Sequence, residues 1–503
     1  MISILIESTY IQLLIVLVGL IAILNYFHLT RKRVKLNEPP IVDYQIPMIG
    51  HTLRFIYDCE KLIVESREKY GEIYSLYIFG ELITVVGKDS IGDLYRREND
   101  FDFYSGTDVK LVVKYIFDDA FKDLNKSLKF MKDYFKVNLN NIMDRIEQNV
   151  IKSIDIYIGE CNEPKVFNDS HEALKNVFAF VAMNLFLGEE CGHNEEIFEL
   201  FKNLVSSFVK AFYAPKILSF VHHWFHDQVA TFSLRYISKY KQVIIKHIKL
   251  IIKKRFHEKK KLGDAWIPPT DVLQFFLNDP EIAPDLDPNN VNCNLIADII
   301  SIFILAAMSS TSYRASYALY ELAKRKEDWP ELYQEAQQIN EQCNGNFKTC
   351  DDLDKMVKLD RFIKEAFRLN ADLLGLPRQC ITDTHYTFSN GYQIPSGRMV
   401  SVDVLELYRN ENFQGPNPNE FNASRHNSPA TKLDRNFLLF GHGKHICPGR
   451  NYAVTLTKIT LHHIMLKYNL RTKFENRIPR NHIGFFIAPA RPGDSSIIFE
   501  KNN

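Results

Sequence analysis

The sequence predicts a mainly helical body with small β-sheets, carried behind one apolar N-terminal helix. Three observations predict it. Apolar residues recur at helical spacing through most of the chain beyond about Asn125. Short runs of strand-forming residues, bounded by Gly and Pro, interrupt that pattern in a few places. An uncharged stretch near the N-terminus is long enough to cross a bilayer. The 503 residues are 46% apolar and 24% charged, an ordinary globular composition that can bury a large core. The net charge of +1 offers no electrostatic case for a nucleic-acid partner.

Between Glu7 and Arg31 there is no Asp, Glu, Lys or Arg, and Tyr10–Leu29 spans a bilayer core at ~1.5 Å per residue. The basic run RKRVK (Arg31 to Lys35) follows at once. A cleavable signal has its charges before the apolar run and small residues after it, so the reversed order predicts a retained anchor over residues 1–30. The positive-inside rule then leaves everything after it on the cytoplasmic side. Eight cysteines lie scattered with no C-x-x-C pair, which reads as mostly buried reduced thiols and agrees with a cytosolic bulk. Pro39, Pro40, Pro47 and Gly50 favour a stiff extended connector, giving a basic, proline-rich linker over 31–50. Residues 51–503 form the main body.

Within that body, Glu72 to Gly87 reads as two strands turning at Phe79-Gly80. Helical spacing predominates from about Asn125 to Phe256, over roughly Pro288 to Lys326, over Leu359 to Asn370, and after Cys447. Leu262 to Asp271 is a loop, and His385 to Val404 carries short strands with a tight turn at Asn390-Gly391. The basic run Lys253 to Lys261 reads as a solvated helix end. His222 and His226 have metal-like i, i+4 spacing. Their neighbours Phe220, Trp224 and Phe225 favour a membrane-interface contact instead.

The densest chemistry is FGHGKHICPG, Phe440 to Gly449. Gly441, Gly443 and Gly449 permit positive φ and close backbone approach, so such a loop can aim several N–H groups at one sulfur. Pro448 suits the first turn of a following helix, whose positive end would face the thiolate. A zinc site would need His442, His445 and Cys447 plus a fourth ligand at poor spacing, and a plain core cysteine would need none of the glycines.

This stretch resembles the haem-binding loop of the cytochrome P-450 family, with aromatic, glycines, basic residue and cysteine in register. The resemblance implies the family fold, a helical triangular prism with a smaller β-rich region. It implies haem b (iron protoporphyrin IX) with Cys447 as axial iron ligand, His445 on a propionate, and Phe440 beside the sulfur. Glu365 and Arg368 in KEAFR stand at i, i+3 on one helix face. Alone such a pair is usually a surface salt bridge. Followed by Arg425 and then the cysteine, it matches the order of the family's structural Glu-Arg-Arg triad. Arg378 takes the place of a second propionate-binding residue. In the long helix, Ala306 and Ala307 leave room for dioxygen, while Ser309 and Ser310 replace the usual acid and Thr, with Thr311 adjacent. A hydroxyl there can bond back to the i−4 carbonyl and hold a proton-bearing water. Leu373, Leu374, Phe485 and Phe486 fall where the family lines its substrate cavity.

The similarity is strongest to microsomal eukaryotic members, and especially to fungal members that oxidise steroids and terpenoids. It implies a monooxygenase of the endoplasmic reticulum membrane, catalytic domain facing the cytoplasm. Electrons from NADPH would arrive through NADPH–cytochrome P-450 reductase, with cytochrome b5 as a further donor, and the substrate would be a lipophilic small molecule. Two other classes stay open: a haem-thiolate isomerase or dehydratase rearranging a lipid peroxide without external electrons, motivated by Ser309 and Ser310, and a non-enzymatic haem sensor or carrier.

Overall fold

A computed structural model describes residues 19, 20, 23, 36–97, 99–106, 129, 133, 134, 139–191, 194–213, 218–220, 223–237, 239–432, 434, 436–475 and 494–502. Most of the expected anchor, with His222, Phe485 and Phe486, lies outside this set, as does the Ser309 side chain.

The helix Cys293–Lys324 runs through the centre of the body. Asn292 caps it by accepting the Leu295 N–H at 3.1 Å, so it starts five residues later than the sequence spacing suggests. The helices Ser170–Leu187, Glu195–Tyr213, Lys239–Leu262, Val357–Leu369 and Arg450–Lys467 pack on it. It is the one described helix long and apolar enough to cross a membrane, and its burial marks it as core. Its charged residues are held individually: Asp298 pairs with Lys241 at 2.8 Å and Glu321 with Arg325 at 3.1 Å.

Strands β1 (Ile73–Ile78) and β2 (Glu81–Val86) form the expected hairpin, with φ of +49° at Phe79 and +82° at Gly80. With β3 (Phe101–Asp102), β5 (Arg378–Cys380) and β8 (Met399–Val402) they make a five-stranded sheet in the order β1-β2-β8-β5-β3. Strand β4 (Lys165–Phe167) pairs with β10 (Ile497–Lys501), which pairs with β9 (Tyr468–Thr472). Strands β6 (His385–Thr387) and β7 (Gln393–Pro395) form a hairpin.

The described part of the proline-rich linker lies against the body: Val42 N–H donates to Ser75 at 2.9 Å, Ser75 N–H to Pro40 at 2.8 Å, and Glu38 pairs with Arg398 at 2.6 Å. The basic run 253–261 is not uniformly solvated. Helical periodicity turns Arg255 and Phe256 inward while Lys253 and Lys254 stay exposed. The Arg255 fork meets both oxygens of Glu190 (2.8 and 2.9 Å) and of Asp271 (2.9 and 2.7 Å). Further along the chain, Trp224 is exposed, but His226 is buried with Asp227 Oδ1 at 3.2 Å, and no group of three or more metal-ligating side chains occurs among the described residues.

Candidate haem-thiolate site

Of the three glycines in the loop from Phe440 to Gly449, two adopt the positive φ they permit and Gly449, at φ −89°, does not. Gly441 and Gly443 take φ of +72° and +77°, a left-handed region costly for other residues. Gly441 N–H donates to Leu438 at 2.9 Å, and Cys447 N–H closes the loop onto Phe440 at 2.8 Å. The helix Arg450–Lys467 begins after Gly449, so Pro448 precedes the cap instead of occupying the first turn. Burial raises the Cys447 thiol pKa, while the Gly449 N–H and the Arg450 charge oppose that rise. Burial wins, so the net shift is upward, and the Gly449 N–H and Arg450 charge are the groups beside the sulfur that act toward the anion.

Beside the loop stand the two residues expected to bind propionates. Phe103 stacks on the His445 ring at 5.1 Å and 16°, and Tyr104 meets it edge-on at 5.1 Å. The Arg378 guanidinium lies 5.6 Å from the Phe103 ring centroid and 4.7 Å from that of Tyr95. Phe103 thus touches both His445 and Arg378, which are distant in sequence. Neither Phe103 nor Tyr95 carries a sequence signal for this role.

Gly106 is another residue that sequence reasoning missed. A Cβ there would lie 2.3 Å from Arg378 Cα and 2.4 Å from the Pro377 carbonyl oxygen. Both are backbone atoms, so β5 itself would have to move. Gly106→Ala is expected to displace Arg378 and cost about 1–3 kcal/mol. Thermal denaturation checks this, and an unchanged melting temperature would show that β5 yields freely.

Glu365 anchors the loop region from the helix Val357–Leu369. Its carboxylate takes Arg368 Nε at 2.7 Å and Nη2 at 2.8 Å, Arg425 Nε at 2.9 Å, the Asn422 N–H at 2.9 Å and His426 Nε2 at 2.8 Å. The remaining guanidinium donors meet carbonyls: Arg368 those of Tyr408 and Pro418, Arg425 those of Gln414, Asn417 and Glu420. Burial raises the Glu365 pKa, but the bonds from Arg368 and His426 outweigh it and bring it to about 2. Burial holds the His426 pKa below its ordinary value. So the expected trio is joined by a fourth side chain, His426. One turn earlier, Asp360 accepts the Ala430 N–H at 2.8 Å, and Lys364 donates to Ser428 Oγ at 2.9 Å. Residues 422–430, which lead to the cysteine loop, are thereby fixed to one helix.

On the central helix, Ala306 and Ser310 are exposed although Phe303, Ile304, Leu305, Met308 and Thr311 around them are buried. They share one face at i, i+4, so this face borders open space. Ser310 Oγ donates to the Ala306 carbonyl at 2.7 Å, the expected back-bond. Thr311 turns inward at 5% exposure, so the two neighbouring hydroxyls are not presented together. Leu373 is half-buried and Leu374 packs into the smaller core with Val42, Leu62 and Leu405. That segment is pinned, since Val404 and Leu405 N–H groups donate to the Leu373 carbonyl at 3.2 and 3.1 Å.

Comparison with known proteins agrees with this arrangement. The family profile described as Cytochrome P450 matches residues 39–494. The cytochrome P450 monooxygenase olcJ of Penicillium canescens is 26% identical over 370 residues, covering 72% of this chain and 68% of that protein. A cholesterol 16,22-dihydroxylase of Trigonella foenum-graecum is 24% identical, covering 92% and 93%. The structure of retinoic-acid-bound cyanobacterial CYP120A1 superposes with a TM-score of 0.67 at 18% identity, over 93% of this chain and 100% of that one. With a family profile spanning most of its length and the Cys447 loop, Glu365 network and open central-helix face assembled in one body, the chain is a member of the cytochrome P450 family of monooxygenases.

Proposed function

We propose that this chain holds haem b through Cys447 and inserts one atom of dioxygen into a lipophilic substrate of steroid, terpenoid or fatty-acid type. The electrons come from NADPH through NADPH–cytochrome P-450 reductase, with cytochrome b5 as a further donor. The observation that carries the reading is the setting of Cys447: a thiol on a glycine-built loop that its own N–H closes onto Phe440, with the Gly449 N–H and the Arg450 charge beside the sulfur. The residues present fit haem. The buried Arg378 cation and His445 are brought together by Phe103 as donors for two carboxylates, and the Ala306–Ser310 face is open where a flat ring and a guest need room. When bound, haem with a thiolate ligand supplies reductive activation of dioxygen.

The protein's own part is positioning. Cys447 binds, Arg378 and His445 orient, and the Glu365 network fixes the loop. Ser310 Oγ holds a proton donor at the open face, with Thr311 and Ser309 beside it in the chain. Ala306, Ala307 and Leu373 supply apolar wall, which suits a lipophilic guest, while Leu374 is taken up by the smaller core. An anchor over residues 1–30 places the body on the cytoplasmic face of the endoplasmic reticulum membrane, where such a guest dissolves.

The test uses membranes containing the full chain and a reductase, a lipid extract and isotopically labelled dioxygen. One labelled oxygen atom per product, appearing only with NADPH, is the expected result. Rearranged lipid peroxides formed without NADPH would overturn it in favour of an isomerase. In the same assay Ser310→Ala is expected to keep haem and NADPH consumption but lower product formed per NADPH by about a hundredfold. Unchanged coupling would remove Ser310 from proton delivery.

A further inference from the structure

One feature of the central helix serves neither the haem loop nor the core. Arg314 is a charged residue within the long, largely apolar helix Cys293–Lys324. It follows Ala306 and Ser310 at the same i+4 step, so it stands on the open face, about 6 Å along the axis from Ser310. Its Nη2 donates to Asp372 Oδ2 at 2.7 Å, and its Nη1 donates to the Asn370 carbonyl. The other ion pairs of this helix differ. Asp298 is buried against Lys241, and Glu321 lies one turn from the helix end with Arg325. The Arg314–Asp372 pair is asymmetric: the arginine side chain is 14% exposed, the aspartate 50%. Asp372 immediately precedes Leu373, whose carbonyl is pinned by Val404 and Leu405, so the carboxylate sits on a fixed segment. Among the described residues, Asp372 Oδ1 accepts no hydrogen bond.

We infer that Arg314 and Asp372 form a polar anchor at one end of the substrate cavity, and that it recognises an alcohol on an otherwise apolar substrate. This deepens the monooxygenase reading and rests on it. The chemistry selects the group. A hydroxyl donates to the open Asp372 oxygen while accepting from the Arg314 fork, and it leaves the ion pair neutral. A carboxylate would have to displace Asp372 and face it at close range, which like-charge repulsion opposes. An ether or a hydrocarbon leaves the half-exposed aspartate covered and without a donor, at a desolvation cost. The anchor lies one helical turn from Ser310. It would therefore set which part of the guest reaches the open face, and it acts as a specificity-determining pair rather than in the chemistry.

The test is a set of spectral binding titrations of the purified, haem-loaded full chain with four probes of one chain length: dodecan-1-ol, its methyl ether, dodecane and dodecanoate. The alcohol is expected to bind about tenfold or more tighter than the ether, as one hydrogen bond to a charged group requires. Asp372→Leu is expected to abolish that preference, in part by tightening the ether, while keeping haem content. Asp372→Asn, which keeps an acceptor, is expected to retain part of it. An alcohol that binds no better than the ether, or not at all, overturns the inference. So does a preference that survives Asp372→Leu, or a dodecanoate that binds tightest. Failure of the underlying reading shows separately, as purified protein lacking the thiolate-type absorption of the reduced, carbon-monoxide-bound form.

Discussion

Glu365→Gln is expected to yield protein that fails to retain haem and unfolds at markedly lower denaturant. The carboxylate faces two guanidinium groups with side chains 0% and 6% exposed, and a neutral amide leaves both without their counter-charge. Breaking a buried pair in this way costs about 3–5 kcal/mol. Arg368→Lys is expected to be nearly as damaging. An ammonium cannot reach Glu365 in the fork geometry and also serve the carbonyls of Tyr408 and Pro418. Urea unfolding and haem content per chain measure both, and wild-type values for Glu365→Gln would refute the anchoring role.

The same network sets an acid limit. Glu365 has its pKa depressed to about 2, so its contribution is fully present above the ordinary carboxylate range, ~4.3. It is lost progressively as pH falls toward 2. His426 is held neutral by burial, with its pKa also depressed. The unfolded chain takes up that proton first, so stability declines as pH falls below ~6.5. Both groups act in the same direction. Stability should fall in two stages on acidification, and His426→Phe should shrink the upper stage, to which buried His51 and His462 contribute in the same direction. A flat unfolding midpoint between pH 7 and 5 in the native chain would contradict this.

Cys447→Ser is expected to abolish NADPH-dependent product and the thiolate signature of the reduced, carbon-monoxide-bound spectrum, while circular dichroism stays helical. A serine hydroxyl is not ionised near neutral pH and cannot serve as the anionic sulfur donor. The matched control is Cys350→Ser, another half-buried thiol, on a short helix of the same body. It should leave spectrum and turnover unchanged. Persistence of the thiolate spectrum in Cys447→Ser would move the ligand to another cysteine and overturn the reading of the loop.

Much of this was legible in the residue order because it depends on local chemistry. Positive φ at Gly441 and Gly443 follows from glycine alone, and the β1–β2 hairpin follows from strand-forming residues around Phe79-Gly80. The Ser310 back-bond to Ala306 follows from one helical turn. Glu365 with Arg368 is local as well, since i, i+3 spacing places both on one face. Helix boundaries were less legible. Asn292 starts the central helix because its side chain happens to reach the Leu295 N–H, and Pro448 falls outside the next helix because Gly449 already serves as the cap.

By itself, then, the sequence determined the helical body, the thiolate loop and the order of the anchoring residues, all matters of spacing along one chain. Tertiary structure alone decided which partners complete them. His426 joins Glu365 across 61 positions, Phe103 connects His445 to Arg378, and Gly106 leaves room for β5. Arg255 leaves a run of surface lysines to satisfy the buried Asp271 and the half-buried Glu190, and Arg314 crosses from the central helix to Asp372. Such pairings follow from the requirement that every buried charge find a counter-charge or a dipole. That requirement acts on neighbours in space, and a periodic pattern carries no record of which distant segment will stand there.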